Sequence, residues 1–295
     1  MQNFVLSCCS TVDLSSEHLK SRDIPYIPFH FMLGDQQYTD DLGASISYKD
    51  FYQAMRQGKD TKTSQVNVDE FVKYFEPFLK EGKDILHISL SSGVSGVLNS
   101  ANTAASMLSE KYPDAKIYVV DSLGASSGYG LLMDKLADLR DEGMGIVELK
   151  SWAEANRLLL HHWFFSIDLT FFVKGGRISK ASGWFGTALR ICPLLNMNDT
   201  GHLRPRFKLR GKAKAIKEIA DKMEQFAQGQ LQYSDKCYLS HSDCFADAKK
   251  VVDLVEERFT HLKGKVLINN IGTTVGCHTG PGTVALFFWG DKRED

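Results

Sequence analysis

The chain lacks most of the features that assign a protein at a glance. None of its 295 residues fall in an apolar run long enough to cross a bilayer. The opening Met1–Ser7 carries neither the basic region nor the long apolar core of a secretory signal, so a soluble cytoplasmic protein is expected. Charge of one sign is missing too. Lys and Arg number 35 against 36 Asp and Glu, leaving −1 overall, which excludes a nucleic-acid protein held by a basic field. Six cysteines, Cys8, Cys9, Cys192, Cys237, Cys244 and Cys277, form no Cys-x-x-Cys pair. Without a signal they read as reduced, mostly buried small hydrophobes. Nine histidines include His161-His162 and a His241/Cys244 pair, but no third and fourth ligand falls at zinc spacing, so no metal is expected. There is no phosphate-loop lysine, no complete Gly-x-Gly-x-x-Gly and no Gly-x-Ser-x-Gly elbow.

What is present is an ordinary globular composition, 43% hydrophobic and 24% charged, enough for a substantial core. Runs 4–7, 26–31, 85–89 and 117–121 have strand length and composition. Amphipathic stretches 48–57, 68–81, 95–112 and 125–142 lie among them. That alternation predicts parallel βαβ units in a doubly wound layer, with ligands at the carboxyl ends of the strands. Gly143-Met144-Gly145 precedes a further helical pattern over 147–162 and marks a change of domain. Beyond it come strands at 193–197, 236–240, 266–268 and 284–288, a helix at 245–259, and a basic stretch from Arg204 to Lys217. The expectation is two α/β domains, 1–145 and 146–295, with a small-ligand cleft between them.

Four stretches could carry chemistry. Ser89-Leu90-Ser91-Ser92-Gly93-Val94-Ser95-Gly96 follows a strand and opens a helix. Hydroxyls and free N–H groups at a helix N-terminus suit a carboxylate or one phosphate group, and equally an N-cap with turn glycines. Thr61-Lys62-Thr63-Ser64-Gln65 precedes a helix that the Asn67/Glu70 pair would cap, leaving its side chains in a loop. In Lys174-Gly175-Gly176-Arg177-Ile178-Ser179, Arg177 either orients an anion or anchors its own turn. The fourth is Ile271–Gly282, where glycines and Pro281 frame His278 in a stiff loop. His278 is a general base or a donor to a bound anion, and donation is the simpler role without a nucleophile elbow.

Taken in order, these pieces resemble the DegV family of bacterial fatty-acid-binding proteins. The match runs through Asp40-Asp41, Thr63-Ser64-Gln65, Ser91-Ser92-x-x-Ser95-Gly96, Val120-Asp121-Ser122, Gly175-Gly176-Arg177-Ile178-Ser179 and His278-Thr279-Gly280-Pro281-Gly282, over nearly the whole chain. The resemblance implies a two-domain α/β fold holding a long-chain fatty acid, such as palmitate or oleate, in an apolar tunnel. It places the carboxylate on Thr63 and Ser95, with Ser92 and His278 close by, and Arg177 as loop support or partner contact. It implies no catalytic residue and no cofactor. The bound carboxyl group would be phosphorylated by a separate ATP-dependent kinase subunit, with Arg210 at the position that meets it. Val66 stands where the family usually has proline, and Val97-Leu98 where it prefers Thr-Tyr, so chain-length preference is not transferable.

The energetics suit a carrier. At roughly 0.8 kcal/mol per buried methylene, a chain of about sixteen carbons gains on the order of 10 kcal/mol before ordering costs. The carboxylate then needs donors, because burying it without them is expensive. The competing expectation is a hydrolase or acyl transferase with Ser95 or Ser92 as nucleophile and His278 as base.

Overall fold

The computed structural model describes residues 3–179 and 191–295. Its first half is built on a parallel sheet of β1 (Phe4–Cys9), β2 (Tyr26–Ile27), β6 (Asp84–Ser89) and β7 (Ile117–Asp121), in the order β2-β1-β6-β7. A short helix α1 (Ser16–Ser21) joins β1 to β2. The stretch 26–31, which reads as one strand, is two. Pro28 and its neighbour interrupt it, because proline has no N–H for the ladder. The second piece, β3 (His30–Leu33), leaves for a separate antiparallel sheet with β4 (Gln36–Thr39) and β5 (Thr61–Ser64). Thr63 therefore sits on an edge strand opposite Phe31 rather than in the expected loop.

Helix α2 (Tyr48–Arg56) connects β4 to β5, and α3 (Val68–Lys80) leads into β6. The Asn67/Glu70 capping box opens α3 as the sequence predicts. Helix α4 (Val97–Lys111) is the crossover from β6 to β7. Phe71 and Phe75 of α3, with Ala101 and Ala104 of α4, cover one face of the parallel sheet. Each fully buried phenylalanine contributes about 1.5–3 kcal/mol.

The opposite face packs on α5 (Ser126–Asp141), whose residues Ser126 to Asp134 are all buried. This helix is enclosed because a second sheet lies on its far side. Small residues let its neighbours approach on both sides: a Cβ at Gly128 would stand 2.5 Å from Phe287 Cδ1 of the second sheet, and one at Gly130 2.7 Å from the Val12 carbonyl oxygen in the turn after β1. The second sheet has the order β10-β9-β8-β13-β11-β12, comprising β8 (Leu160–Ser166), β9 (Ile191–Met197), β10 (Leu203–Arg210), β11 (Tyr238–His241), β12 (Leu267–Asn270) and β13 (Thr283–Trp289). Only β11 and β12 are parallel in it. Helices α6 (Ile146–Asn156), α7 (Thr170–Lys174), α8 (Lys212–Phe226), α9 (Phe245–Arg258) and α10 (Thr273–Thr279) complete the fold.

The strands thus divide cleanly, β1–β7 before residue 122 and β8–β13 after residue 159. The core does not divide: Leu6, Leu86, Leu132, Phe165 and Leu286 belong to one buried cluster. A polar clasp reinforces the junction. Asp134 of α5, with its side chain 3% exposed, accepts from His18 of α1 and from Lys236 and Tyr238 at β11. Burial alone raises the Asp134 pKa, but these three donors hold it well below the usual carboxylate range.

Candidate functional site

Between the two large sheets lies an apolar cavity with an open mouth. Leu90 and Val94 from the loop after β6, Phe164 of β8, Phe172 of α7, Met197 of β9 and Phe287 of β13 line it. Phe164 and Phe172 stack with centroids 5.8 Å apart. The cavity meets a wider polar vestibule walled by Thr61, Lys62, Ser64, Gln65, Lys174 and Cys277. Five residues belong to both spaces: Phe29, Thr63, Ser95, Arg177 and His278. Four of these are polar, and they come from four separate elements.

His278 organises them. It is not in a loop, as its Gly/Pro frame suggests, but in the last turn of α10. Gly276 lies within the helix, where a Cβ would stand 2.5 Å from Tyr52 Oη, Gly280 turns the chain after it at φ 67, and Gly175 lets the imidazole lie against the α7 turn, where a Cβ would collide with His278 Nδ1. Arg177 Nη1 stands 3.3 Å from that Nδ1, while Nε2 stands 2.8 Å from Thr63 Oγ1. A guanidinium can only donate, so Nδ1 accepts and the hydrogen of the neutral ring is on Nε2. Nε2–H donates to Thr63, whose own hydroxyl hydrogen is then free to turn toward an anion. Burial, with the nearby Arg177 charge, pushes His278 down to about 4, so the ring is neutral near pH 7.

Of the two roles its sequence context allowed, the structure places Arg177 in the anchoring one. It donates to the Val94 and Gly175 carbonyl oxygens, fixing its turn, and it faces His278 in the cavity wall. Burial lowers its pKa, yet an arginine remains charged. Ser95 lies just before α4, where its Oγ accepts from Val97 N at 3.2 Å and donates to Gln65 Oε1 at 3.4 Å. The positive end of a fifteen-residue helix therefore points at the same junction.

The remaining sequence candidates are elsewhere. Ser92 is exposed and lines neither space. Its Oγ donates to Asp121 Oδ2 at 2.5 Å and its N–H to Oδ1, so it braces the ends of β6 and β7. Arg210 is exposed at the end of the edge strand β10. Asp40 is buried behind the cavity wall, accepting from Ser10 and from Thr273 of α10. Phe29 was not singled out from sequence, and His162, also in the lining, was noted only as one of a histidine pair without zinc spacing. A Pro-flanked aromatic and one histidine of an adjacent pair carry no distinguishing pattern.

Among the described residues no group of three or more His, Cys, Asp or Glu could hold a metal, and no helix is long and apolar enough to cross a membrane.

An apolar space that opens through a ring of hydroxyl, imidazole and guanidinium groups has the chemistry to receive an amphipathic, anionic small molecule. The comparisons with known proteins give the family. The DegV family model matches residues 9–291, and the chain belongs to that family. A DegV domain-containing protein of Clostridium perfringens is 36% identical over 294 residues, covering 100% of both chains. A Thermotoga maritima protein whose structure reveals a fatty acid binding function is 26% identical, with TM-score 0.79 over 99% of this chain and 100% of that one. The fatty acid kinase B3 protein of Streptococcus pneumoniae, loaded with linoleic acid, shares the fold at TM-score 0.81 and 22% identity, covering 99% and 100%.

Proposed function

We propose that this protein binds a long-chain fatty acid, with the acyl chain in the apolar cavity and the carboxylate at the junction with the vestibule. The carrying observation is that the residues common to both spaces include Thr63, Ser95, Arg177 and His278. Thr63 and Ser95 supply hydroxyl donors. His278 polarises Thr63, and Arg177 supplies positive charge behind the imidazole. The likeness to the Thermotoga maritima fatty-acid-binding structure supports the same reading. In this position the carboxylate faces outward through the vestibule, where a separate ATP-dependent kinase subunit reaches it to form an acyl phosphate. Arg210, exposed on β10, is the proposed kinase contact. The family resemblance and the fold shared with the fatty acid kinase B3 protein support that step.

The hydrolase reading meets opposing geometry. Ser95 Oγ bonds to Gln65 and Val97 rather than to His278. The far nitrogen of His278 faces a cation, where a catalytic base needs a carboxylate, and its low pKa makes it a poor base.

A denaturing lipid extract of the purified protein tests the reading by mass spectrometry. One long-chain fatty acid per chain is expected. Protein that comes without lipid and takes up none when offered palmitate or oleate would contradict it.

A further inference from the structure

Gln65 directly follows β5 and lines the vestibule beside Ser95. Its side-chain amide bridges two hydroxyl groups. Oε1 accepts from Ser95 Oγ at 3.4 Å, and Nε2 donates to Ser100 Oγ, early in α4, at 3.3 Å. Both bonds are long and exposed to solvent, so neither holds the amide tightly.

Ser95 has one hydroxyl hydrogen, and in this arrangement Gln65 takes it. The Ser95 oxygen meanwhile accepts from Val97 N. Nothing on this side chain is then left to donate to a carboxylate at the junction. The conflict disappears when the amide turns so that its oxygen and nitrogen exchange places. Each serine hydroxyl can donate or accept, so Nε2 then donates to Ser95 and Oε1 accepts from Ser100, with no bond lost. Ser95 Oγ accepts twice and its hydrogen is free for an anion. His278 Nε2 leaves the Thr63 hydrogen free in the same manner. Gly96 gives the amide its place: a Cβ there would stand 3.1 Å from Gln65 Oε1 and 3.5 Å from Nε2.

We propose that Gln65 is the positioning residue for Ser95: its amide turns as a fatty acid binds, Nε2 donates to Ser95, and the Ser95 hydrogen is given to the carboxylate. The inference rests on the fatty-acid reading above and adds an orienting partner for its second hydroxyl. The anion drives the exchange, because a hydroxyl bonds more strongly to a carboxylate than to a neutral amide oxygen.

The test measures palmitate affinity, by displacement of a fluorescent fatty acid, for wild type, Gln65→Met, Ser95→Ala and the double variant. Methionine has a similar length and no hydrogen to donate. Gln65 is exposed, so the fold should tolerate the change, and the melting temperature verifies it. Gln65→Met should weaken binding by about threefold to tenfold, the weight of one neutral hydrogen bond. In the Ser95→Ala background the same change should cost less than about twofold, because Gln65 acts through Ser95. An amide that kept Oε1 on Ser95 in the complex would compete with the carboxylate for the hydrogen, and its removal would tighten binding. Tighter or unchanged binding by Gln65→Met therefore overturns the proposal. So does a loss of equal size with and without the Ser95 hydroxyl, which would place Gln65 directly on the ligand. Wild-type protein that binds no palmitate would remove the functional reading itself, and this inference with it.

Discussion

Thr63 Oγ1 and His278 Nε2 stand 2.8 Å apart, joining the edge strand of the small sheet to a short helix 215 residues later. The contact closes the ring of polar groups at the cavity mouth. It also sets which proton points where, because the far side of the imidazole is held by Arg177.

Thr63→Val and Ser95→Ala should each weaken fatty-acid binding by about tenfold to a hundredfold, as expected for one hydrogen bond to a charged group. Ser92→Ala should stay within about twofold of wild type, since one solvent-exposed hydroxyl away from the ligand contributes little. Displacement of a fluorescent fatty acid measures all three. Equal losses at Ser92 and Ser95 would place the carboxylate outside the junction described here.

Gly175→Ala tests whether His278 must sit where it does. The backbone at this position has φ −75, which alanine adopts freely, but the new methyl would occupy the place of His278 Nδ1. Affinity should fall by about tenfold, as the Thr63 contact is pulled apart, while the melting temperature changes little. Unaltered affinity would show that the imidazole has no part in binding.

The buried histidines set an acid limit on stability. Burial pushes His87 down to about 3 and His161 to about 4 from an ordinary 6.5. The unfolded chain takes up protons below 6.5 that the folded chain refuses, so stability is intact above 6.5 and is lost as pH falls toward 4. Asp13 and Asp40 run the other way. Burial raises both, so their contribution is present at low pH and lost as pH rises through the folded values. His87→Phe isolates the first effect, because His87 already packs edge-on against Phe71 and Phe75. Relative to wild type the variant should gain up to about 1.4 kcal/mol per pH unit below 6.5 in denaturant unfolding. A constant difference across that range would refute it.

Arg210→Glu separates presentation from binding. The side chain is exposed and lines neither space. Fatty-acid uptake should match wild type, while acyl-phosphate formation with the kinase subunit and ATP falls about tenfold or more through charge reversal. Equal rates would move the kinase contact elsewhere.

Much of the fold was legible where local signals agree. The parallel strands 4–7, 85–89 and 117–121 and the Asn67-capped helix combine periodicity with turn or cap chemistry. Strand β8 was not legible. Leu158–His162 continues the helical pattern of α6, and only pairing with β13 on one side and β9 on the other makes 160–166 a strand. Strand β10 was hidden within a basic stretch for the same reason. At the site, the hydroxyl-rich motifs marked Thr63, Ser95 and His278, but not their setting. A strand and a helix hold what read as loops, because Thr63 is fixed by its partner Phe31 and α10 by contacts distant in sequence. Ser92 and Ser95 could not be told apart without knowing that Asp121 engages the first.

The most direct test of the carboxylate position uses palmitate isotope-labelled at its carboxyl carbon and followed by NMR in the complex as pH is lowered. Held by Thr63 and Ser95 with Arg177 nearby, the carboxyl group should stay ionised well below the ordinary carboxylate range, and Arg177→Ala should raise its titration point. A carboxyl group that titrates as it does in water, and is indifferent to Arg177, would contradict the assignment.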